Sequence, residues 1–227
     1  MTNTAELDIL VAAERLQERL RPGDLDSTLA AITAAAVDML PHVHFASLTM
    51  RQGDGTLRSH AVTCDLVVTL DEQQFALQEG PCYDGATTEP FAVSNDLLHD
   101  PRYPRFGPVA AGLGISSSAG IRLFESGKAV AALNLFSRQT DAFGGTESLS
   151  RLFASHAAVA LAYSVEVSSL NEALRSRTLI GQAVGIVMER YQIPEHEAFA
   201  FLTRLSQHGN VKLRRIADEL VRAVSRR

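Results

Sequence analysis

Basic side chains gather near the end of the sequence at a spacing suited to binding phosphate. Lys212, Arg214 and Arg215 lie within five residues after Asn210, and Arg204 precedes Asn210 by six residues. Lysine and arginine donate to phosphate oxygens, and the free N–H groups of a helix N-terminus add to this attraction. The cluster therefore favours a polyanion, while the amide of Asn210 could hydrogen bond to a base edge.

Two residues of the preceding segment, Arg177 and Gln182, extend this candidate set with one further cation and one further amide. Two other interpretations stay open at this point. The same charges could belong to solvated helix faces with no ligand, or they could bind a protein partner.

The distribution of charge favours a division of roles along the chain. Residues 1–165 carry 11 Lys and Arg against 19 Asp and Glu, a net charge of -8. Residues 166–227 carry 10 against 7, a net charge of +3, and the two parts sum to the overall -5. An acidic body with a basic C-terminal part predicts that the latter binds the polyanion.

Catalytic and metal-binding patterns are missing from the sequence. Ser116, Ser117 and Ser118 lack the glycine context of a hydrolase nucleophile, and no phosphate-binding glycine loop is present. The seven histidines show no zinc spacing, and haem ligation by one of them is a minor alternative. We expect a protein that is not an enzyme, with no metal and no identified cofactor.

Composition excludes several protein classes. With 46% hydrophobic residues and a net charge of -5, the chain does not resemble a disordered protein. Its longest uncharged stretches, residues 106–121 and 152–165, are too short or too rich in Gly and Ser to span a membrane. No secretory signal opens the sequence, so we expect a cytoplasmic protein that does not contact membranes.

The elements of the acidic body predict an α+β domain with an antiparallel sheet and flanking helices. Helices are expected over residues 5–20, from residues 24–27 to 40–41, and over residues 71–78. Strands are expected over residues 42–51, 56–64 and 90–93, and a hairpin is expected over residues 115–124 and 129–137. Residues 100–113, with three prolines, predict an irregular or one-turn helical segment.

A long helix beginning near residue 146 joins the two parts. Apolar residues recur there in steps of three and four, a period of 3.5 that is typical of a coiled coil. This predicts a homodimer whose seam contains Leu149, Phe153, His156, Ala160, Tyr163, Val167, Leu170 and Leu174. A helix packed on its own domain, with a period of 3.6, would give a similar stripe.

Two more helices follow, separated by Pro194 and by the His208–Asn210 region. The first is expected to face inward through Ala198, Phe199, Phe201, Leu202 and Leu205. The second, over residues 212–224, is expected to face inward through Leu213, Ile216, Ala217, Leu220 and Val221. The C-terminal part is thus predicted to be a three-helix domain over residues 166–227.

Residues 174–190, LRSRTLIGQAVGIVMER, and residues 210–217, NVKLRRIA, resemble the ANTAR domain. The resemblance extends over residues 166–224. It implies a dimeric RNA-binding protein that recognises paired hairpins and prevents transcription termination. The RNA-binding residues would be Arg177, Gln182, Arg204, Asn210, Lys212, Arg214 and Arg215. Two residues depart from the family pattern, since many members have lysine at the position of Val184 and an acidic residue at that of Arg215.

Residues 79–85, 91–96 and 131–136 resemble segments of the GAF domain, which is often paired with ANTAR in actinobacterial proteins. The resemblance implies that residues 1–165 form a sensory or dimerisation domain. Its pocket could receive a small ligand, not identified here, or respond to a protein partner. Candidate pocket residues are Phe75, Cys82, Tyr83, Phe91 and Phe106. For Cys82, a buried structural role is favoured over a redox role or a transient bridge to Cys64.

The sequence therefore predicts an RNA-binding antitermination regulator with an input domain. Two alternatives are a DNA-binding transcription regulator and a protein-interaction module without nucleic-acid affinity. Duplex DNA would require a polar reading helix, whereas the helix after Pro194 carries Phe199, Phe201 and Leu202.

Overall fold

The computed structural model describes Glu18 and residues 24–52, 54–126, 129–145 and 147–225. The helix predicted over residues 5–20 lies outside these residues, apart from Glu18, which is helical. The chain divides into two compact units, Met1–Val165 and Glu166–Arg227. One helix, Glu147–Tyr191, contains residues of both units. No helix in the described part of the chain is long and apolar enough to cross a membrane.

The first unit is built on a five-stranded antiparallel sheet, which confirms the predicted fold class. The strand order is β2-β1-β5-β4-β3. The strands are β1 Phe45–Arg51, β2 Leu57–His60, β3 Phe91–Ser94, β4 Ser117–Ser126 and β5 Ala129–Ser137. The helices are α1 Leu25–Met39, α2 Asp65–Leu77, α3 Pro81–Thr87, α4 Phe106–Gly112 and the start of α5, Glu147–Tyr191. Asp24 caps α1 by accepting from the Ser27 N–H at 3.0 Å.

Successive side chains of a strand point to opposite faces of the sheet, so the sheet has a separate hydrophobic core on each face. Leu133 and Leu135 of β5 belong to the core that contains residues of α1 and α5. Phe136, one position on, belongs to the core that contains residues of α2 and α4. Asn134 shares the face of Phe136, so a polar side chain lies in the middle of the sheet beneath helices.

The first half of α5 packs on its own sheet, which corrects the predicted seam. Phe153 and Ala160 are buried in the core with α1, and Leu149 packs against that core. Ser164 and Thr28 of α1 share a buried hydrogen bond of 2.7 Å. The alternative of a period of 3.6 is therefore right for this stretch, and Phe153 and Ala160 are unavailable to a second chain.

Farther along α5 the seam residues have different surroundings. Tyr163, Leu170 and Leu174 are 57%, 56% and 62% exposed, and His156 and Val167 are half-buried. Val159, which the predicted seam omitted, is 71% exposed. An exposed apolar stripe of Val159, Tyr163, Leu170 and Leu174, four and seven residues apart, thus replaces the predicted seam. We call these four residues the α5 stripe.

In the first unit, one helix is longer than predicted and another was not predicted. Helix α2 begins at Asp65, six residues before the predicted residue 71, and Val67 and Leu70 in this added length are fully buried. Pro81 follows a break at Gly80 but itself opens helix α3, because proline is favoured in the first helical turn. Cys82 therefore lies in helix α3.

The second unit contains the end of α5 with α6 Glu195–Gly209 and α7 Leu213–Ser225. Its core includes Ala183, Val184, Val187, Ala198, Leu202 and Ala217. The predicted inward face of α7 is confirmed, because Leu213, Ile216, Leu220 and Val221 pack against this core. The predicted face of α6 is corrected: Phe199 and Leu205 are 47% and 45% exposed.

Position 181 and position 185 of α5 are glycines inside the helix. A Cβ added to Gly181 or Gly185 would have no atom within 4 Å apart from the neighbouring residues and backbone of its own helix. Packing within the described residues therefore does not require glycine at either position.

Candidate functional site

Four of the predicted RNA-binding residues meet at the turn between α6 and α7. Asn210, Lys212, Arg214 and Arg215 line one open groove of about 620 Å³. Asn210 has a left-handed backbone conformation with φ 48°, which asparagine tolerates well, and its N–H donates to the Gln207 carbonyl at 3.4 Å. The turn thereby ends α6 and turns the chain directly into α7, which brings the three basic side chains together.

Hydrogen bonds between Ser206 and Val211 fix the same turn. The Val211 N–H donates to the Ser206 carbonyl at 3.1 Å, and the Ser206 hydroxyl donates to the Val211 carbonyl at 2.6 Å. The role of Ser206 is therefore structural. Asn210 combines this structural role with an exposed amide that remains available to a ligand.

Three further residues, which are not among the predicted ligand-binding residues, complete the groove. They are Leu179 of α5, Val211 of the turn and Asp218 of α7. Leu179 packs against the core of the second unit, which holds its side chain in place. The groove therefore combines an apolar surface with three cations, one amide and one carboxylate.

The basic residues of the groove differ in the partners they already have. Arg214 pairs with Glu172 of α5, and Arg215 pairs with Glu219 one helical turn away at 3.3 Å. Lys212 makes no ion pair within the part of the chain that the structure describes. Exposed ion pairs contribute only about 0–1 kcal/mol. Both arginines can therefore exchange a carboxylate for a phosphate at small cost.

The other three predicted RNA-binding residues do not line this groove. Arg177 is exposed on α5, and Arg204 is exposed on α6. Gln182 lines a different depression of about 550 Å³ together with residues that include Ile186 and Val221. Val184, the departure from the family pattern, is 6% exposed in the core of the second unit. The replacement of lysine by valine thus adds apolar packing at this position.

A buried polar cluster in the first unit was not found by sequence analysis. Asp71 of α2 is fully buried and accepts hydrogen bonds from the hydroxyls of Ser47 and Ser59, both at 2.6 Å. The Asn134 amide donates to the other oxygen of Asp71 at 3.2 Å and to Thr49 at 2.7 Å. Burial raises the pKa of the Asp71 carboxyl to about 6, partly offset by these hydrogen bonds.

The predicted pocket residues fall on two different faces of the sheet. Cys82 and Phe106 are fully buried in the core under α2 and α4. Phe91 packs on the opposite face, where the Arg151 guanidinium lies 4.4 Å from its ring centroid. Phe91 is therefore removed from the predicted pocket, because alternate residues of a strand point to opposite faces. Phe75 and Tyr83 are half-buried.

The surroundings of Cys82 favour the structural role. Its Sγ lies 3.5 Å from the Ser118 hydroxyl, and burial raises the pKa of the thiol far above its usual range. A thiol held in the neutral form is a poor nucleophile and a poor metal ligand. In the described part of the chain, no group of three His, Cys, Asp or Glu residues is arranged to hold a metal ion.

We expect Asp71→Asn to change how stability depends on pH. The folded pKa of Asp71 is raised above the value of 3.8 for an unperturbed carboxyl, so ionisation opposes folding. This penalty is absent below the unfolded pKa and complete above about 6. From pH 4 to pH 7.5, the variant should therefore gain up to about 3 kcal/mol of unfolding free energy relative to the wild type.

Chemical unfolding followed by circular dichroism at several pH values measures this difference. Glu72→Gln, at the adjacent exposed position of the same helix, is the matched control for the loss of one surface carboxylate. Parallel pH profiles for the wild type and Asp71→Asn would show that Asp71 titrates normally.

The sequence matches two family models. The model described as GAF domain matches residues 23–162, which is more than half of the chain. The model described as ANTAR domain matches residues 168–221. No curated protein matches this chain.

Several solved structures share the fold of the first unit at low sequence identity. The GAF domain of a phosphoenolpyruvate-protein phosphotransferase from Coxiella burnetii is 18% identical with a TM-score of 0.52, covering 72% of this chain and 98% of its own. An N-acylhomoserine-lactone-dependent LuxR family transcription factor from Burkholderia cenocepacia is 14% identical with a TM-score of 0.54, covering 70% and 98%. A free methionine-R-sulfoxide reductase from Neisseria meningitidis is 13% identical with a TM-score of 0.51, covering 74% and 95%.

Proposed function

Since the chain belongs to the GAF domain family through residues 23–162 and carries an ANTAR domain at residues 168–221, we propose that it promotes transcription antitermination by binding paired RNA hairpins. ANTAR is an RNA-binding antitermination module, and GAF is a sensory domain. Both are regulatory and not catalytic, so we further propose that the protein is not an enzyme. Acting on nascent transcripts, it would work in the cytoplasm.

One observation carries the proposed RNA binding: three cations and an amide line the same groove at the α6–α7 turn. Lys212, Arg214 and Arg215 would position the phosphate backbone of a hairpin loop, and Asn210 would hydrogen bond to an unstacked base. Arg177, Gln182 and Arg204 would add contacts outside the groove.

The α5 stripe supports the proposal of a homodimer. Val159, Tyr163, Leu170 and Leu174 leave an apolar surface exposed along one helix. A symmetric pairing of two such helices would bury this surface, as in a coiled coil. Two chains would then present two grooves, one for each hairpin of the pair.

The first unit would supply the input. A small ligand or a protein partner can change RNA binding only if it binds two conformations of the protein with different affinities. We place this input at the GAF domain because that family is sensory; its ligand is not identified by the residues described above.

Binding to a two-hairpin RNA at increasing salt tests the proposed function. Contacts with about three phosphates in each of the two grooves predict that log K falls with log salt at a slope of about -4 to -5. Affinity should therefore drop by about 500-fold between 50 and 200 mM salt. Fluorescence anisotropy with labelled RNA measures this slope, and duplex DNA of equal length is the comparison ligand.

Each alternative gives a different result in this experiment. Tighter binding to duplex DNA than to the hairpins would favour a DNA-binding regulator. No binding to either nucleic acid would favour a protein-interaction module and would overturn the proposal.

A further inference from the structure

The exposed surface of α5 changes along the helix from bulky side chains to bare backbone. The α5 stripe presents large side chains as far as Leu174. Gly181 lies seven residues after Leu174 and Gly185 four residues after Gly181, so both glycines continue the stripe on the same side of the helix. Both glycines are exposed.

This unequal surface is poorly suited to a parallel pair of α5 helices. In a parallel pair each residue meets its own copy, so Tyr163 would meet Tyr163 and Gly181 would meet Gly181. The tyrosines would crowd each other at one end, and the glycines would leave a gap at the other. Protein interiors are close-packed, and both crowding and gaps are unfavourable there.

An antiparallel pair brings large residues opposite small ones. When Leu170 meets Leu174 of the second chain, the pair is centred at the level of residue 172. The same centre places the two large residues at the start of the stripe, Val159 and Tyr163, opposite Gly185 and Gly181 of the second chain. The glycines, which packing within one chain does not require, would then receive these side chains.

The charges beside the stripe are complementary in the same arrangement. Glu166 and Arg177 are both exposed, and they lie eleven residues apart, which is about three helical turns, so they share one side of α5. Neither makes an ion pair with another described residue. Around the same centre, Glu166 lies within one residue of the level of Arg177 of the second chain. In a parallel pair, Arg177 would instead meet Arg177.

Building on the proposed dimer, we propose that two copies of this chain pair antiparallel through residues 159–185 of α5. The leucines of the stripe form the centre of the interface, and two symmetric Glu166–Arg177 ion pairs flank it. Glu172 points away from the interface towards Arg214, with which it pairs, so it does not obstruct the second chain. The guanidinium has five donors, and Arg177 therefore keeps donors for RNA.

This pairing determines where the two RNA-binding grooves lie. Leu179 lines the groove and lies seven residues beyond the centre at residue 172. At a rise of 1.5 Å per residue, the two copies of Leu179 would be about 21 Å apart along the helix axis. A parallel pair would place both grooves at the same level.

Disulfide formation between full-length chains tests the direction of pairing. Cys64→Ser first removes the half-buried thiol, while the buried Cys82 stays. Chains carrying Tyr163→Cys or Gly181→Cys are then co-expressed with tags of different size and oxidised. The mixed disulfide should exceed either self-disulfide by about tenfold or more. Each introduced thiol would lie about 27 Å along the axis from its own copy, whereas a disulfide requires Cα atoms within about 7 Å.

The two single variants are the matched controls for the mixture. A disulfide between two Tyr163→Cys chains would show a parallel pair and overturn the inference. A dimer in sedimentation equilibrium that forms no mixed disulfide would also overturn it. Hairpin binding by the unsubstituted chain is measured separately, so a parallel dimer that binds RNA would leave the proposed function intact.

Exchange of the two flanking charges tests the same pairing without new thiols. Glu166→Lys or Arg177→Glu alone replaces two attractions per dimer with two repulsions, and each should raise the dissociation constant of the RNA-free dimer by about tenfold. The double variant restores opposite charges across the interface and should return to within about threefold of the wild type. Additive losses in the double variant would overturn the antiparallel pairing.

Discussion

Replacing Lys212, Arg214 and Arg215 together with glutamate is expected to weaken hairpin binding severely. Hydrogen bonds to charged groups contribute about 1.5–3 kcal/mol each. Losing three of them and adding repulsion should weaken binding by about 1,000-fold or more. The dependence of log K on log salt should also become less steep, by the equivalent of about three phosphate contacts in each groove. The variant groove no longer neutralises phosphates and so no longer releases their counterions. Anisotropy titrations at two salt concentrations measure both effects.

The fold should tolerate this triple substitution. Carboxylates near the start of α7 interact favourably with the helix dipole. The lost pairs of Arg214 with Glu172 and of Arg215 with Glu219 are exposed, and such pairs contribute little to stability. Circular dichroism should therefore show an unchanged helix content.

A matched variant separates a local effect from the effect of net charge. Arg58→Glu and Arg138→Glu together with Gln139→Glu and Thr140→Glu add the same negative charge at exposed positions outside the groove. This control should keep most of the affinity. If the groove variant and the control lost affinity equally, the site would be placed wrongly, and RNA would be attracted by overall charge alone.

Charged residues in the α5 stripe are expected to separate the proposed dimer. In Leu170→Glu with Leu174→Glu, four leucine side chains per dimer are lost from the interface, each contributing about 1.5 kcal/mol. Pairing of the helices would also bury the two introduced glutamate charges of each chain without a partner, which further disfavours the dimer. The dissociation constant of the dimer should increase by about 10,000-fold or more.

Sedimentation equilibrium over a range of protein concentrations measures this change. Ser168→Glu with Asn171→Glu adds the same charge at exposed α5 positions outside the stripe and should leave the dimer intact. A wild type that is monomeric at all concentrations, with or without the two-hairpin RNA, would contradict the dimer itself. A dimeric double leucine variant would place the interface elsewhere.

The α6–α7 turn was predictable from the sequence because it depends on the preferences of residues that are close in sequence. Asn210 ends α6 because asparagine accepts the left-handed conformation, and the apolar spacing of α7 allowed only one inward face. The same reasoning placed the strands of the first unit, where alternation and turn residues agree. In these segments, neighbours in sequence determine the structure.

The predicted seam failed in part because two periods are hard to separate over a short stretch. Coiled-coil and straight-helix periods drift apart by only about 20° in each heptad. Over residues 149–160 both place Phe153 and Ala160 on one face. The sequence cannot show whether that face meets the chain's own sheet or a second copy.

Asp71 was missed because its environment is created by distant strands. In the sequence it precedes Glu72 and resembles an ordinary solvated helix residue. Only the fold brings Ser47, Ser59 and Asn134 around it. Phe199 shows the opposite error, since an apolar residue was assumed to be buried but lies at the surface.

The two glycines inside α5 affect how easily that helix opens. Glycine is less favourable than alanine by about 0.8–1.0 kcal/mol in a helix interior, so Gly181 and Gly185 together cost nearly 2 kcal/mol. Neither is required by packing within the described residues. Backbone amides around them should exchange with solvent deuterium through local openings of lower free energy than those of the alanine-rich turns near Ala157. The helix that joins the two units thus has a point of reduced protection close to the RNA-binding surface that we propose.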